Sequence, residues 1–69
     1  MTLRELRKAR DLTLEAAAFR CSLGSSTISK IERGLVVPST RTVAKLARGL
    51  DTSIARMRQI LEETSRAAA

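Results

Sequence analysis

Four times along this chain a hydroxyl residue stands directly ahead of apolar residues that recur three and four apart, and this pattern restricts the fold more than any other feature. The hydroxyls are Thr2, Thr13, Ser39 and those of the segment Asp51-Thr52-Ser53. A Ser or Thr at that place accepts a hydrogen bond from an amide of the first helical turn, and the apolar spacing gives the helix one buried stripe. Thr2-Leu3-Arg4-Glu5 is a full capping box, in which Glu5 reaches back to the cap. Helix 1 is therefore expected from there to about Arg10, with Leu3 and Leu6 inward and Arg7 on their side. Helix 2 is expected over Leu14 to about Cys21, with Ala17, Ala18 and Cys21 on one stripe. Ser22-Leu23-Gly24 interrupts it. Helix 3 follows over Ser25 to about Arg33, with Ile28 and Ile31 inward and Gly34 as a stop.

Pro38 disfavours helix at Val37, so Leu35 to Pro38 reads as a loop. Helix 4 then carries Val43, Leu46, Ala47 and Leu50 at helical spacing. Helix 5 carries Ile54, Met57, Ile60 and Leu61, and the tail from Thr64 to Ala69 is expected to fray. There is no strand-like alternation and no internal repeat. The expected fold class is all-α: five helices in a single domain over residues 1–69, with a helix-turn-helix at about 13–33 and helix 5 and tail at about 53–69.

Composition narrows the chemistry. A 69-residue chain holds one small core. With one aromatic residue, Phe19, that core must come from Leu, Ile, Val and Ala, which suits packed helices. Cys21 has no second cysteine to pair with, and no histidine is present to serve as zinc ligand or general base. No Gly-rich phosphate loop occurs, and the carboxylates sit at caps, pairing positions and the tail. No enzyme activity, cofactor or metal is expected. Met1 leads into charge within three residues and no long apolar run follows, so a cytoplasmic location, with the nucleoid, is expected.

Thirteen Lys and Arg oppose seven acids, a net charge of +6. Residues 1–50 carry ten bases and four acids, so the whole +6 lies there. Residues 51–69 carry three of each, a balance of zero. A basic body with a neutral tail suits a polyanion bound on one part of the surface. Helix 5 is amphipathic but lacks the net positive charge of a membrane-surface helix.

The stretch Thr13 to Gly34 places two helices of about eight residues across a short turn, with small Ala17 and Ala18 available for a close crossing. The second helix has an apolar face, Ile28 and Ile31, and a short polar face, Ser25, Ser26, Ser29 and Lys30. Together with Leu3-Arg4-Glu5-Leu6-Arg7, Leu12-Thr13, Ala18, the run Ser26 to Gly34, Pro38-Ser39, Thr42, Leu46-Ala47 and Leu50, this resembles the lambda-repressor-like, or Cro/XRE-type, helix-turn-helix family over about residues 2–61.

The resemblance implies a transcriptional regulator that binds double-stranded DNA with helix 3 in the major groove. It implies base reading by Ser25, Ser26, Ser29 and Lys30, and phosphate contacts by Thr13, Thr27, Arg33, Ser39 and Arg41. It also implies a buried ion pair between Arg7 and Glu32, and binding as a two-fold dimer. Met57, Ile60 and Leu61 of helix 5, with Thr64, are one expected dimer or partner surface; Leu35 and Val36, with Val37, are the other. The alternative is a protein-interaction module, antitoxin-like or regulator-binding, with weak or lost specific DNA binding.

Three positions depart from the family pattern. Leu14 stands where Gln usually grips a phosphate. Ser22 stands where Gly usually takes the left-handed turn conformation, so a rearranged or slightly strained turn is expected there. Gly24 stands where a capping side chain is usual. Phe19 is expected to fold over Ala17 into the core, and Val36 or Val37 to be partly buried.

Overall fold

The computed structural model describes residues 1–68. Thr2 starts α1 (Leu3–Ala9) as the capping box predicts. Its Oγ1 accepts from the Glu5 amide at 3.2 Å, and the Glu5 carboxylate accepts from the Thr2 amide at 2.7 Å. Thr13 caps α2 (Leu14–Cys21) through the Ala16 amide, and Ser39 caps α4 (Thr40–Gly49) through the Thr42 amide. Ser53 accepts from the Arg56 amide at the start of α5 (Ile54–Ala68). Only α3 (Ser25–Glu32) lacks a side-chain cap, because Gly24 has none to give. The described residues form these five helices and no strand. None of the helices is long and apolar enough to cross a membrane.

All four connections leave their helix in the same way. A left-handed residue follows the last turn: Asp11 (φ 57°), Ser22 (φ 55°), Gly34 (φ 72°) and Asp51 (φ 56°). The next amide reaches back five residues, from Leu12 to Arg7, Leu23 to Ala18, Leu35 to Lys30 and Thr52 to Ala47, at 2.8–3.2 Å. The amide of the left-handed residue itself donates three residues back. This is the Schellman arrangement, which satisfies carbonyls a helix end would leave bare. Glycine fills only one of the four positions. Ser22 adopts the left-handed conformation without rearranging the turn, so the expected strain is an intrinsic cost of serine there.

The core draws on every helix: Leu3 and Leu6, Ala17, Ala18 and Cys21, Ile28 and Ile31, Val43, Leu46 and Ala47, then Met57 and Ile60, with Leu50 beyond α4. Each large aliphatic so buried contributes about 1.5–3 kcal/mol. α2 packs on both α3 and α4, and α5 closes the assembly against α4, α1 and α3. The ends of α2 and α4 approach backbone to backbone at Gly49. A Cβ there would stand 2.4 Å from Cys21 Sγ and 2.8 Å from the Arg20 carbonyl oxygen. Burial beside these groups raises the pKa of the Cys21 thiol.

Four expectations are corrected here. Met57 and Ile60 are 0% and 1% exposed, so the inner stripe of α5 is core and not a dimer surface. Thr64 is buried too: it accepts from the Leu3 amide at 2.8 Å and donates to the Ile60 carbonyl at 2.7 Å, tying α5 to α1. The tail therefore does not fray but stays helical through Ala68, while Ala69 lies outside the described residues. Phe19 is 88% exposed, because Ala17 and Ala18 point inward and Phe19 projects from the other side of α2. Val36 and Val37 are exposed as well, carried outward by the loop.

Candidate nucleic-acid interface

The helical repeat sorts α3 into two faces. Ile28 and Ile31 are buried, and on the other side Ser26 and Lys30 stand exposed one turn apart. Ser25 and Ser29, also one turn apart, lie half-buried beside them, and Thr27 is half-buried. The four residues expected to read bases thus share one edge of one helix, short hydroxyls in the first turn and an amine one turn later. Leu14, where a phosphate-binding side chain is usual, is partly buried against the core and supports packing instead.

Electrostatics favour an anion at two helix starts. None of α3, α4 and α5 has an acidic residue in its first turn, and of these α3 and α4 lie in the part of the chain that carries the net positive charge. Their amino-terminal partial positive charge is therefore not neutralised from within the chain. α2 differs, with Glu15 in its first turn. Of the expected phosphate ligands, Thr13, Ser39 and Arg41 are exposed at or beside helix starts, Arg33 is exposed at the far end of α3, and Thr27 is half-buried. Thr13 is exposed; its Oγ1 accepts from Ala16, which leaves the hydroxyl hydrogen to donate elsewhere. The Ser39 hydroxyl already donates to Thr42 Oγ1 at 3.1 Å, so what Ser39 offers an anion is the start of α4 rather than its own side chain. Arg41 is exposed in the first turn of α4. Arg33 is exposed at the end of α3, its Nε folded back on the Ser29 carbonyl at 3.4 Å.

Behind this edge, Arg7 Nε donates to Glu32 Oε2 at 2.6 Å and Nη2 to Oε1 at 3.2 Å, with Nη1 on the Leu12 carbonyl at 2.9 Å. The two side chains are 10% and 7% exposed. The bond to Glu32 raises the pKa of Arg7 above its ordinary value, so the guanidinium stays charged. It joins α1 to the last residue of α3 and holds the polar edge in place.

Sequence reasoning missed where three other cations go. Arg10 Nε bonds the Leu50 carbonyl, Arg20 Nε the Gly49 carbonyl, and Lys45 Nζ the Ser22 carbonyl at 3.5 Å. It also missed a groove of about 390 Å³ between the α3–α4 loop and α5, lined by Val37, Pro38, Val43, Arg58, Leu61 and Glu62. Leu61 keeps part of its side chain at that groove, while Leu35 and Val36 are exposed on the adjoining loop.

A family model described as a helix-turn-helix domain matches residues 1–60. No curated protein and no solved structure matches the chain.

Proposed function

Because the chain belongs to the helix-turn-helix domain family, we propose that it binds double-stranded DNA sequence-specifically and regulates transcription, with α3 in the major groove. The observation that carries this reading is the single outward edge of Ser25, Ser26, Ser29 and Lys30 over a buried Ile28–Ile31 face. Lys30 donates to guanine O6 and N7, and the serines bond several base edges, so direct readout is modest and DNA shape contributes. Thr13, Thr27, Arg33 and Arg41, with the α4 start at Ser39, hold phosphates and set the register. Two copies read a palindromic site. The working location is the cytoplasm, on the nucleoid.

The test is selection of random duplexes by the purified protein, repeated with Lys30→Ala. A palindrome should be enriched, and Lys30→Ala should lose about 1–3 kcal/mol of discrimination at one base pair per half-site. Arg41→Ala should instead weaken all sequences alike and make the log-log salt slope shallower by about 0.9 per lost phosphate contact. Absence of any enriched sequence from a fully helical protein refutes the reading. The second reading, a protein-interaction module, is favoured by the exposed Phe19 on α2. It would be supported if Phe19→Ser removed a regulatory effect while leaving DNA affinity unchanged.

A further inference from the structure

We propose that Thr64 and Ala68, near the end of α5, are positioning residues for DNA reading: they fasten the far end of α3 and so set where Ser25 and Ser26 meet a base pair. The inference rests on the DNA reading above and deepens it.

The end of α5 holds two other helices at once. Thr64 is buried, and its Oγ1 accepts from the Leu3 amide at 2.8 Å, a donor at the start of α1 that α1 cannot satisfy itself. The Thr64 hydroxyl donates to the Ile60 carbonyl at 2.7 Å, which fixes its orientation. One turn later Ala68 lies on Gly34, the left-handed residue that closes α3. A Cβ on Gly34 would stand 2.5 Å from Ala68 Cβ, so the end of α5 fills the space that the missing side chain leaves. Two residues before Gly34, Arg7 of α1 holds Glu32. α1, α3 and α5 are thus joined in a closed triangle, which grips α3 at Glu32 and Gly34.

The start of α3 has no matching hold, since Gly24 offers it no side-chain cap. Ile28 and Ile31 seat the helix on the core, and the triangle sets its tilt. With eight residues α3 is about 12 Å long, so a pivot of about 10° at the fastened end moves the first turn by about 2 Å. A polar contact needs its partner within about 0.5 Å of the productive place. Lys30, two residues from Glu32, moves far less in the same pivot, and its long stem absorbs the shift. The short Ser25 and Ser26 side chains cannot follow. Readout by the first turn therefore depends on two residues of α5 that do not themselves touch a base.

The experiment compares the full chain with Thr64→Val, Thr64→Ser and Ala68→Gly, each checked for helicity by circular dichroism. Amide hydrogen exchange is measured on the free protein. Thr64→Val should speed exchange at Leu3, Gly34 and Leu35 roughly tenfold or more, and Ala68→Gly at Gly34 and Leu35, with the Leu46 amide of α4 unchanged. Random-duplex selection follows, with Ser26→Ala and Lys30→Ala marking which base pair each residue meets. Thr64→Val and Ala68→Gly should flatten preference about tenfold at the base pairs met by the first turn and about twofold or less at the one met by Lys30. Thr64→Ser, which keeps the hydroxyl, should match the wild type. If Thr64→Val fails to fold, Ala68→Gly carries both arms. Unchanged exchange at Gly34 and Leu35 overturns the proposal, as does a loss spread evenly over all base pairs, the mark of plain destabilisation. A wild type that enriches no sequence sinks the DNA reading itself and the positioning role with it. A normal wild-type selection with evenly weakened or unaltered variants sinks the positioning role alone.

Discussion

Replacing Arg7 with Met should cost a large share of the stability of this domain. The guanidinium makes two bonds to Glu32 and one to the Leu12 carbonyl, and both charged side chains are nine-tenths buried. Met keeps most of the volume but leaves a carboxylate and a carbonyl without their donor. Breaking a buried pair from one side costs about 3–5 kcal/mol. A domain of this length is stable by about 3–10 kcal/mol. At about 4–8 °C per kcal/mol, the melting temperature should fall by about 12–40 °C, and at the upper end the variant is largely unfolded at room temperature. Thermal melts followed by circular dichroism measure the loss. Replacing both partners, Arg7→Met with Glu32→Leu, should recover much of it, because the penalty comes from the orphaned charge more than from the lost attraction. A loss below about 1 kcal/mol for Arg7→Met, the range of an exposed pair, would refute the reasoning by showing that water reaches the carboxylate.

Three further predictions follow from local geometry. Gly49→Ala should destabilise by about 1–3 kcal/mol in the same melts, since its Cβ would overlap Cys21 Sγ and the Arg20 carbonyl; a neutral result would mean that the two helix ends separate freely. Ser22→Gly should stabilise by about 1 kcal/mol, because the left-handed residue keeps its bonds and loses the clash of its Cβ. Acid titration should show Glu5 at work. Hydrogen bonds from the Thr2 backbone, then from its side chain, hold the Glu5 carboxyl below its ordinary 4.5. A depressed carboxylate stabilises above its unfolded pKa and loses that contribution as pH falls through its folded pKa. Stability should thus decline below about pH 4.5, and Glu5→Gln should flatten that decline.

The helices were legible because their signals are local. Caps at Thr2, Thr13, Ser39 and Ser53 act within one turn, and the structure starts four helices directly after them. The outward edge of α3 followed from Ile28 and Ile31 by periodicity alone. Phe19 was misread because an apolar side chain was assumed to seek the core, although its helical phase opposes Ala17 and Ala18. The outer use of α5 was misread because its single apolar stripe was assigned to a partner, although Met57 and Ile60 are 0% and 1% exposed members of the core. The second half of α5 in fact closes it through Leu61 and Thr64. The close approach at Gly49 has no local signature, since it depends on where the end of α2 lies in space.

The same distinction between local and spatial information explains why net charge overstates the grip on a polyanion. Arg7, Arg10, Arg20 and Lys45 all spend donors on carbonyls at the carboxy-terminal ends of helices or just beyond them. There they offset the negative end of the helix dipole. The positive ends of α3 and α4 receive the opposite treatment, with no acid in either first turn. The chain thus quenches negative helix ends with its own cations and leaves the positive ends of α3, α4 and α5 without an acid in the first turn. On the proposed DNA reading, the anion is drawn by aligned amides together with Lys30, Arg33 and Arg41 rather than by a diffuse cloud of thirteen bases. On that reading such a surface would position a phosphate backbone in one register, which the short serine side chains of α3 would need in order to reach the base edges at all.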